Sequence, residues 1–268
     1  YFIDLRDIFS ETISDFFSRK SKILGSASRL VFSFLEGRLF DKAAGVNVVS
    51  EGFPGYFQEQ GVDTSGWSFF PNGVDKEFIN LSLARRNHSQ HIKTILYAGN
   101  IGNGQGLEMV LPDVAKCMGS GYRFLVIGGG SASSKLINAI KKENINNIEI
   151  LPPVKRDKLM AHYQDADILF LHLNDIPAFK RVLPSKIFEY TALRKPIVAG
   201  LRGYSAQFMA DNVPNSIVFE PGDVEGCVDA IRKIEKLDVK NEARDVFVKK
   251  YSREKIMNRM AEYIFSVL

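Results

Sequence analysis

At 268 residues the chain can hold one large domain or two small ones, and a composition of 45% hydrophobic and 25% charged residues is that of a globular protein. A net charge of +4, from 35 basic and 31 acidic residues, is too mild to argue for nucleic acid, and no zinc-finger spacing or aromatic-interleaved basic run is present. No apolar run approaches the roughly 20 residues of a spanning helix. No signal-peptide pattern is read. The two distant cysteines, Cys117 and Cys227, lie inside helical patterns and read as buried free thiols, compatible with a reducing cytoplasm.

The chain opens at Tyr1 in a strand already under way, over residues 2–5, so a preceding N-terminal piece is expected. Residues 8–20 and 26–43 have helical spacing, with Leu30, Phe34, Leu35 and Leu39 three to four apart. A buried-type strand is expected over 46–49, a short helix over 54–60 ended by Gly61, and a strand over 67–70. Pro71-Asn72-Gly73 is a turn, and the polar stretch 82–90 reads as a linker.

From residue 92 the pattern alternates. Strands are expected over 92–98, 122–127, 148–151, 167–172, 196–199 and 216–219. Helices are expected between and after them, over 105–118, 132–143, 156–164, 185–193, 204–211 and 223–236, with further helices over 241–249 and 252–267. This alternation with apolar, β-branched strands predicts an α/β fold, a Rossmann-like lobe with a parallel sheet covered on both faces. Ligands in such lobes sit at the carboxyl ends of the strands. The loops after residues 98, 127, 151 and 172 are therefore the candidates.

Four of these regions carry candidate chemistry. Gly99, Gly102, Gly104 and Gly106 crowd a strand-to-helix turn, more than a plain turn needs, and glycine lets backbone approach phosphate closely. Gly128-Gly129-Gly130-Ser131 lacks the further glycine of a dinucleotide fingerprint, because Ser133 stands in its place. It reads as a close-approach loop or as a structural turn. Pro152-Pro153-Val154-Lys155 is a stiff loop. Ser185 opens a helix carrying Lys186 and, three residues on, Glu189. Helix-start N–H groups and a cation suit a diphosphate, and a carboxylate can accept two ribose hydroxyls. The plainer reading of Glu189 is a solvent-facing helix residue. Asp165-Ala166-Asp167 reads as a helix end and strand entry, not a metal site. His88, His91, His162 and His172 show no ligand spacing, although His172 ends a strand near the candidate loops. Basic residues and phenylalanines interleave over 16–42, which suits an anionic membrane surface or one solvated and one core face.

The stretch Pro184-Ser185-Lys186-Ile187-Phe188-Glu189-Tyr190 resembles the nucleotide-binding half of a family 4 retaining glycosyltransferase with the two-domain GT-B fold. Asp4-Leu5-Arg6-Asp7, Pro71-Asn72-Gly73-Val74-Asp75, Gly99-Asn100-Ile101-Gly102 with Gln105-Gly106, and Asp165-Ala166-Asp167 support the resemblance by their order and spacing. It covers nearly the whole chain and is closest to bacterial members that build surface polysaccharides such as lipopolysaccharide, capsule and O-antigen.

The resemblance implies transfer of a sugar from a nucleotide-diphosphate donor, UDP above others, to a lipid-linked or oligosaccharide acceptor with retention. It implies neither metal nor cofactor. Residues 1–78 would be the remnant of an acceptor domain, 79–250 the nucleotide-sugar-binding domain, and 251–268 a helix crossing back to the first domain. Roughly 130–150 residues of the acceptor domain would be absent. Location would be cytoplasmic, with peripheral contact to the inner membrane as an option. Lys186, the backbone around Leu183, Pro184 and Ser185, and the loop of Asn100, Gly102 and Gln105 would hold the diphosphate. Glu189 would hold the ribose, Gly129 would lie beside the sugar, and Val154 would read the base. Arg6 stands about where some relatives place a histidine near the donor sugar, and a surface salt bridge is its plain alternative.

Two positions depart from the family pattern. Asn100 and Gln105 stand where many members carry an arginine and a lysine, which shifts weight to Lys186. Arg181 stands where many carry the first of two glutamates, and no role is assigned to it. Two other readings remain open: another GT-B enzyme such as a nucleotide-sugar 2-epimerase, and a non-catalytic nucleotide-binding module.

Overall fold

A computed structural model describes residues 1–8, 36, 38–79, 92–237 and 241–268. The expected linker 82–90, all but the first residue of the expected helix 8–20 and most of the expected helix 26–43 lie outside the described residues, as does most of the basic stretch 16–42.

The first described elements are β1 (Phe2–Leu5), β2 (Gly45–Val48), α1 (Pro54–Gln58), β3 (Ser68–Phe69) and α2 (Lys76–Ile79). The strands form a small parallel sheet in the order β1-β2-β3, with Ile3 opposite Val46 and Asn47 opposite Ser68. Val48, Phe53, Tyr56 and Phe57 are buried in its core, with Phe40 and Trp67 packed on them. Asn47 is fully buried and ties this sheet together: its side chain donates to Asp4 Oδ1 at 2.8 Å and accepts from Phe70 N at 2.7 Å.

The rest of the chain alternates: β4 (Lys93–Asn100), α3 (Leu111–Met118), β5 (Tyr122–Gly129), α4 (Ser133–Lys142), β6 (Ile148–Leu151), α5 (Arg156–Asp165), β7 (Ile168–His172), α6 (Ser185–Ala192), β8 (Ile197–Gly200), α7 (Tyr204–Asn212), β9 (Ser216–Phe219), α8 (Val224–Ile234), α9 (Asn241–Lys250) and α10 (Arg253–Val267). The six strands are parallel, in the order β6-β5-β4-β7-β8-β9. Side chains alternate between the two faces with the period of a strand. Leu96, Ala98, Leu125, Ile127, Leu169 and Leu171 pack with Phe188, Tyr190 and Phe208. Ile95, Tyr97, Phe124, Val126, Ile168 and Phe170 pack with Val114, Leu136 and Ile231. Two apolar faces leave no polar side for the strands, which is why their sequences read as continuous hydrophobic runs.

The chain winds outward from β4 through β5 to β6, then returns to β7 on the other side of β4. The strand order, not the strand direction, reverses between β4 and β7, and the crevice at the carboxyl ends there is the natural ligand site of such a sheet.

Two expectations need correction. The helix expected over 105–118 is a 3₁₀ turn at Leu107–Met109 followed by α3. Gly106 is left-handed at φ 57°, and Val110, at φ −126°, breaks the helical path before α3 starts. Only one cysteine is buried. Val114, Ala115 and Met118 form the inner face of α3, so Cys117 falls on its outer face. Cys227 is fully buried, and burial followed by the charge of Asp223 pushes its thiol up to about 12.

The segment leading into α6 is wedged between two loops. Ser50 Oγ donates to the carbonyl of Arg181, and the Arg181 guanidinium lies 5.1 Å from the Tyr56 ring. A Cβ on Gly52 would overlap the Arg181 backbone, and one on Gly203, at φ +71°, would overlap that of Lys180. Tyr204 donates to Glu51 at 2.8 Å beside this wedge. At the far end of the chain, Val74 N donates to Tyr251 O at 2.7 Å and Arg253 N to Val74 O at 2.9 Å. Tyr263 of α10 packs edge-on against Phe2 at 6.0 Å and donates to Gly66 O at 3.3 Å.

Arg244 of α9 is fully buried, a feature with no counterpart among the sequence expectations. Its guanidinium donates to the carbonyls of Pro214 (2.9 and 3.1 Å), Asn215 (3.3 Å) and Thr191 (3.4 Å). Burial lowers its pKa to about 9.

Candidate functional site

β4 and β5 run side by side to their ends, where Gly99 pairs in register with Gly128 and Asn100 with Gly129. A Cβ on Gly128 would overlap the Gly99 carbonyl oxygen, and one on Gly130 would stand 2.6 Å from the Ile101 carbonyl oxygen. These two glycines therefore serve backbone packing, and Gly128 also lines the adjoining cleft. Gly129 differs: a Cβ there would meet only Pro153, at 3.6 Å. Two bonds close the strand ends into one unit, Ile101 N to Gly129 O at 2.9 Å and Ala132 N to Ile101 O at 2.9 Å.

A cleft of about 490 Å³ opens above this unit. Its polar and backbone lining includes Gly99, Asn100, Gly129, Lys186 and Glu189, and its apolar side includes Phe78, Val154, Leu159 and Tyr163. α6 begins after Pro184 without a side-chain cap, so no side chain satisfies its first N–H groups. Ile187, Phe188 and Tyr190 anchor the helix in the core. The three-residue spacing then places Lys186 and Glu189 on one helix face, and both reach the cleft.

Among the described residues, neither the Lys186 ammonium nor the Glu189 carboxylate has an ion-pair or hydrogen-bond partner. Lys186 Nζ lies 5.8 Å from the Tyr190 ring centroid. Burial lowers the Lys186 pKa, and the charge of Glu189 opposes that shift only in part. Holding a half-buried cation and a carboxylate without partners among the described residues costs free energy. The arrangement is suited to a ligand carrying both an anionic group and hydroxyl donors.

Gln105 turns inward. Its Oε1 accepts from Asn100 Nδ2 and from Gly102 N, each at 3.1 Å, so it shapes the loop and does not line the cleft. Gly102 and Ser185 also lie outside the cleft lining. Arg6, Leu183 and Pro184 line a second cavity of about 330 Å³, together with Asp7, Asn72 and Phe179. Arg6 itself pairs with Asp4 at 2.9 Å. The second cavity thus joins the small sheet to the segment before α6.

His172 is buried and does not line the cleft. Its Nδ1–H donates to Gln105 O at 2.6 Å, and Nε2 accepts from Gly222 N at 3.1 Å. These partners fix the neutral tautomer, and burial lowers its pKa. Asp167 serves strand entry as expected: its carboxylate accepts from Thr94 N at 2.8 Å. Among the described residues, no group of three or more histidines, cysteines or acids could hold a metal ion.

Phe78, Arg156, Leu159 and Tyr163 line the cleft without having been singled out in the sequence. Leu159 and Tyr163 lie four apart on α5, a spacing that reads as ordinary core. Arg156 pairs with Glu77 at 3.1 Å and Asp75 at 3.4 Å, and its guanidinium lies 5.2 Å from the Phe78 ring.

Comparison with known proteins gives a consistent picture. The model of the family described as "Glycosyl transferases group 1" matches residues 81–254. WcaI of Escherichia coli, whose name assigns it to colanic acid biosynthesis as a glycosyl transferase, is 26% identical over 219 residues. The match takes in 78% of this chain and 53% of that protein, so the chain spans about half the length of this curated relative. HepE of Anabaena, solved with UDP and glucose, superposes with a TM-score of 0.74 at 16% identity, over 99% of this chain and 71% of that one. A glycosyltransferase from Rickettsia africae gives 0.71 at 14% identity, over 96% and 80%. At these identities the likeness shows the fold, which is the α/β, GT-B-like parallel-sheet architecture expected from the sequence.

Proposed function

The chain belongs to the family of group 1 glycosyl transferases, and on that premise we propose that it binds the nucleotide-sugar donor of a glycosyltransferase reaction, with a UDP-sugar as donor. The observation that carries the proposal is the unpaired Lys186 and Glu189 on one helix face, open to a cleft at the strand ends.

In this reading Lys186 and the first N–H groups of α6 meet the diphosphate. Glu189 accepts the two ribose hydroxyls. The base lies on the apolar side, against Val154 and Leu159, with Gly129 leaving room for backbone contact. Positive charge and helix N–H groups aimed at the leaving diphosphate stabilise the charge that develops as the glycosidic bond breaks, and fixed placement of donor and acceptor supplies the rest. We further propose family 4 membership, retention of anomeric configuration without a metal ion, and a lipid-linked or saccharide acceptor reached through the cavity at Arg6 and Phe179. HepE, which shares the fold, binds UDP and glucose. The name of WcaI supports a place in bacterial surface-polysaccharide synthesis. Among the described residues no helix is long and apolar enough to cross a membrane. A cytoplasmic location, with peripheral membrane contact, belongs to the same proposal.

Calorimetric titration of UDP and GDP into the wild type and Glu189→Ala tests the reading. Micromolar UDP binding that the substitution weakens by about 1.5–3 kcal/mol, the range for hydrogen bonds to a charged group, is expected. Failure of both nucleotides to bind, or UDP affinity unchanged in Glu189→Ala, overturns it.

A further inference from the structure

Tyr163 lines the same cleft as Glu189. The residue is 0% exposed, and among the described residues its hydroxyl has no hydrogen-bond partner. The ring is held in place, edge-on to Tyr190 at 5.8 Å and tilted against Phe78 at 6.2 Å. The neighbouring Tyr190 hydroxyl accepts from Ala98 N at 3.1 Å; it is near enough to lower the Tyr163 pKa but makes no well-formed hydrogen bond with the Tyr163 hydroxyl. A buried donor without a well-formed hydrogen bond is unfavourable, so the Tyr163 hydroxyl is available to a stronger acceptor in the cleft.

The acceptor at hand is the Glu189 carboxylate. It faces the same cleft and is itself unpartnered among the described residues. After burial, the charge of Glu189 is the next cause raising the pKa of Tyr163, so the two groups are within electrostatic reach. A carboxylate has about four lone-pair sites. A ribose diol would use two of them, leaving room for a phenol.

We propose that Tyr163 is a positioning residue of the nucleotide site, whose hydroxyl donates to the Glu189 carboxylate when a ribose is bound and turns the remaining lone pairs toward the two ribose hydroxyls. The inference rests on the ribose-binding reading of Glu189. Glu189 is half-buried and its side chain has rotamer freedom to lose on binding. A third anchor on a rigid ring reduces that freedom, and the bond strengthens as the ligand excludes water.

Tyr163→Phe removes one oxygen and keeps the packing. UDP and its 2′,3′-dideoxy analogue are titrated into the wild type, Tyr163→Phe, Glu189→Ala and the double variant, and each is melted. The expected result is a Tyr163→Phe melting temperature at or above that of the wild type, UDP binding weakened about tenfold, dideoxy-UDP binding unchanged, and no further loss in the Glu189→Ala background. UDP affinity equal to wild type overturns the proposal. So does an equal loss for the dideoxy analogue, which would mark general damage to the cleft. If the wild type binds no UDP, the ribose reading falls first and takes this inference with it.

Discussion

The Lys186 side chain lies directly over Gly99: a Cβ on Gly99 would stand 2.5 Å from Lys186 Cε and 3.0 Å from Nζ. The absent side chain at the end of β4 is thus what lets the cation reach the cleft. Gly99→Ala is expected to push Lys186 aside and weaken UDP binding by about 1.5–3 kcal/mol, the range of a hydrogen bond to a charged group. Calorimetry checks this. An alanine variant that binds UDP as the wild type does would show that Lys186 does not need this path.

With Lys186 holding the diphosphate as proposed, nucleotide affinity is expected to depend on alkaline pH. Burial holds its pKa below the ordinary 10.5 in the free site, and a bound diphosphate raises it again by favouring the charged form. Affinity is therefore full below the free-site pKa, falls as pH rises through it, and levels off above the bound-state pKa. UDP titrations across this range should show the decline beginning below pH 10.5 in the wild type. Lys186→Arg, which stays charged, should show no such decline.

His172 makes stability depend on acid. Its folded pKa lies below the ordinary 6.5 because burial disfavours the cation, and protonation at Nε2 would set a second N–H against that of Gly222. Its stabilising effect is fully present above pH 6.5 and is lost as pH falls through the lower folded-state pKa. Denaturant melts between pH 7 and 5 should give a steeper fall for the wild type than for His172→Asn. Parallel curves would remove His172 from the explanation.

Arg244 closes the space between α9, the end of α6 and the loop at residues 213–215. Arg244→Met keeps much of the volume but leaves buried carbonyls without donors. A loss of about 3 kcal/mol or more of folding stability is expected. Urea denaturation measures it, and a loss under about 1 kcal/mol would mean that the carbonyls find water.

The alternation of strands and helices was legible because a two-sided parallel sheet needs apolar strands. β6 and β9 keep the expected bounds of 148–151 and 216–219. Lys186 and Glu189 could be read as a pair because one helix sets their spacing. Features that depend on distant backbone were not legible. Gly130 looks like a ligand-approach glycine in sequence, yet it answers to Asn100 and Ile101, and Gly128, which lines the cleft, is also required by the Gly99 carbonyl across the sheet. Gln105 and His172 look like site residues until the fold brings Gly102 to one and Gly222 to the other. The role of Arg244 needs carbonyls about 30 and 53 residues away. Tyr163 is hidden for a different reason, since its spacing from Leu159 is that of any buried helix face.

The wedge at Lys180 and Arg181 limits how the protein can be recombined. Gly52 on one side and Gly203 on the other leave no room for a side chain against that backbone, and Ser50 is bonded to it. A chimera that carries α6 from this chain onto another small sheet would have to bring residues 50–52 and 203 with it. The practical unit of exchange is therefore a set of three separated segments, and a crossover placed at the apparent boundary near residue 78 would split it.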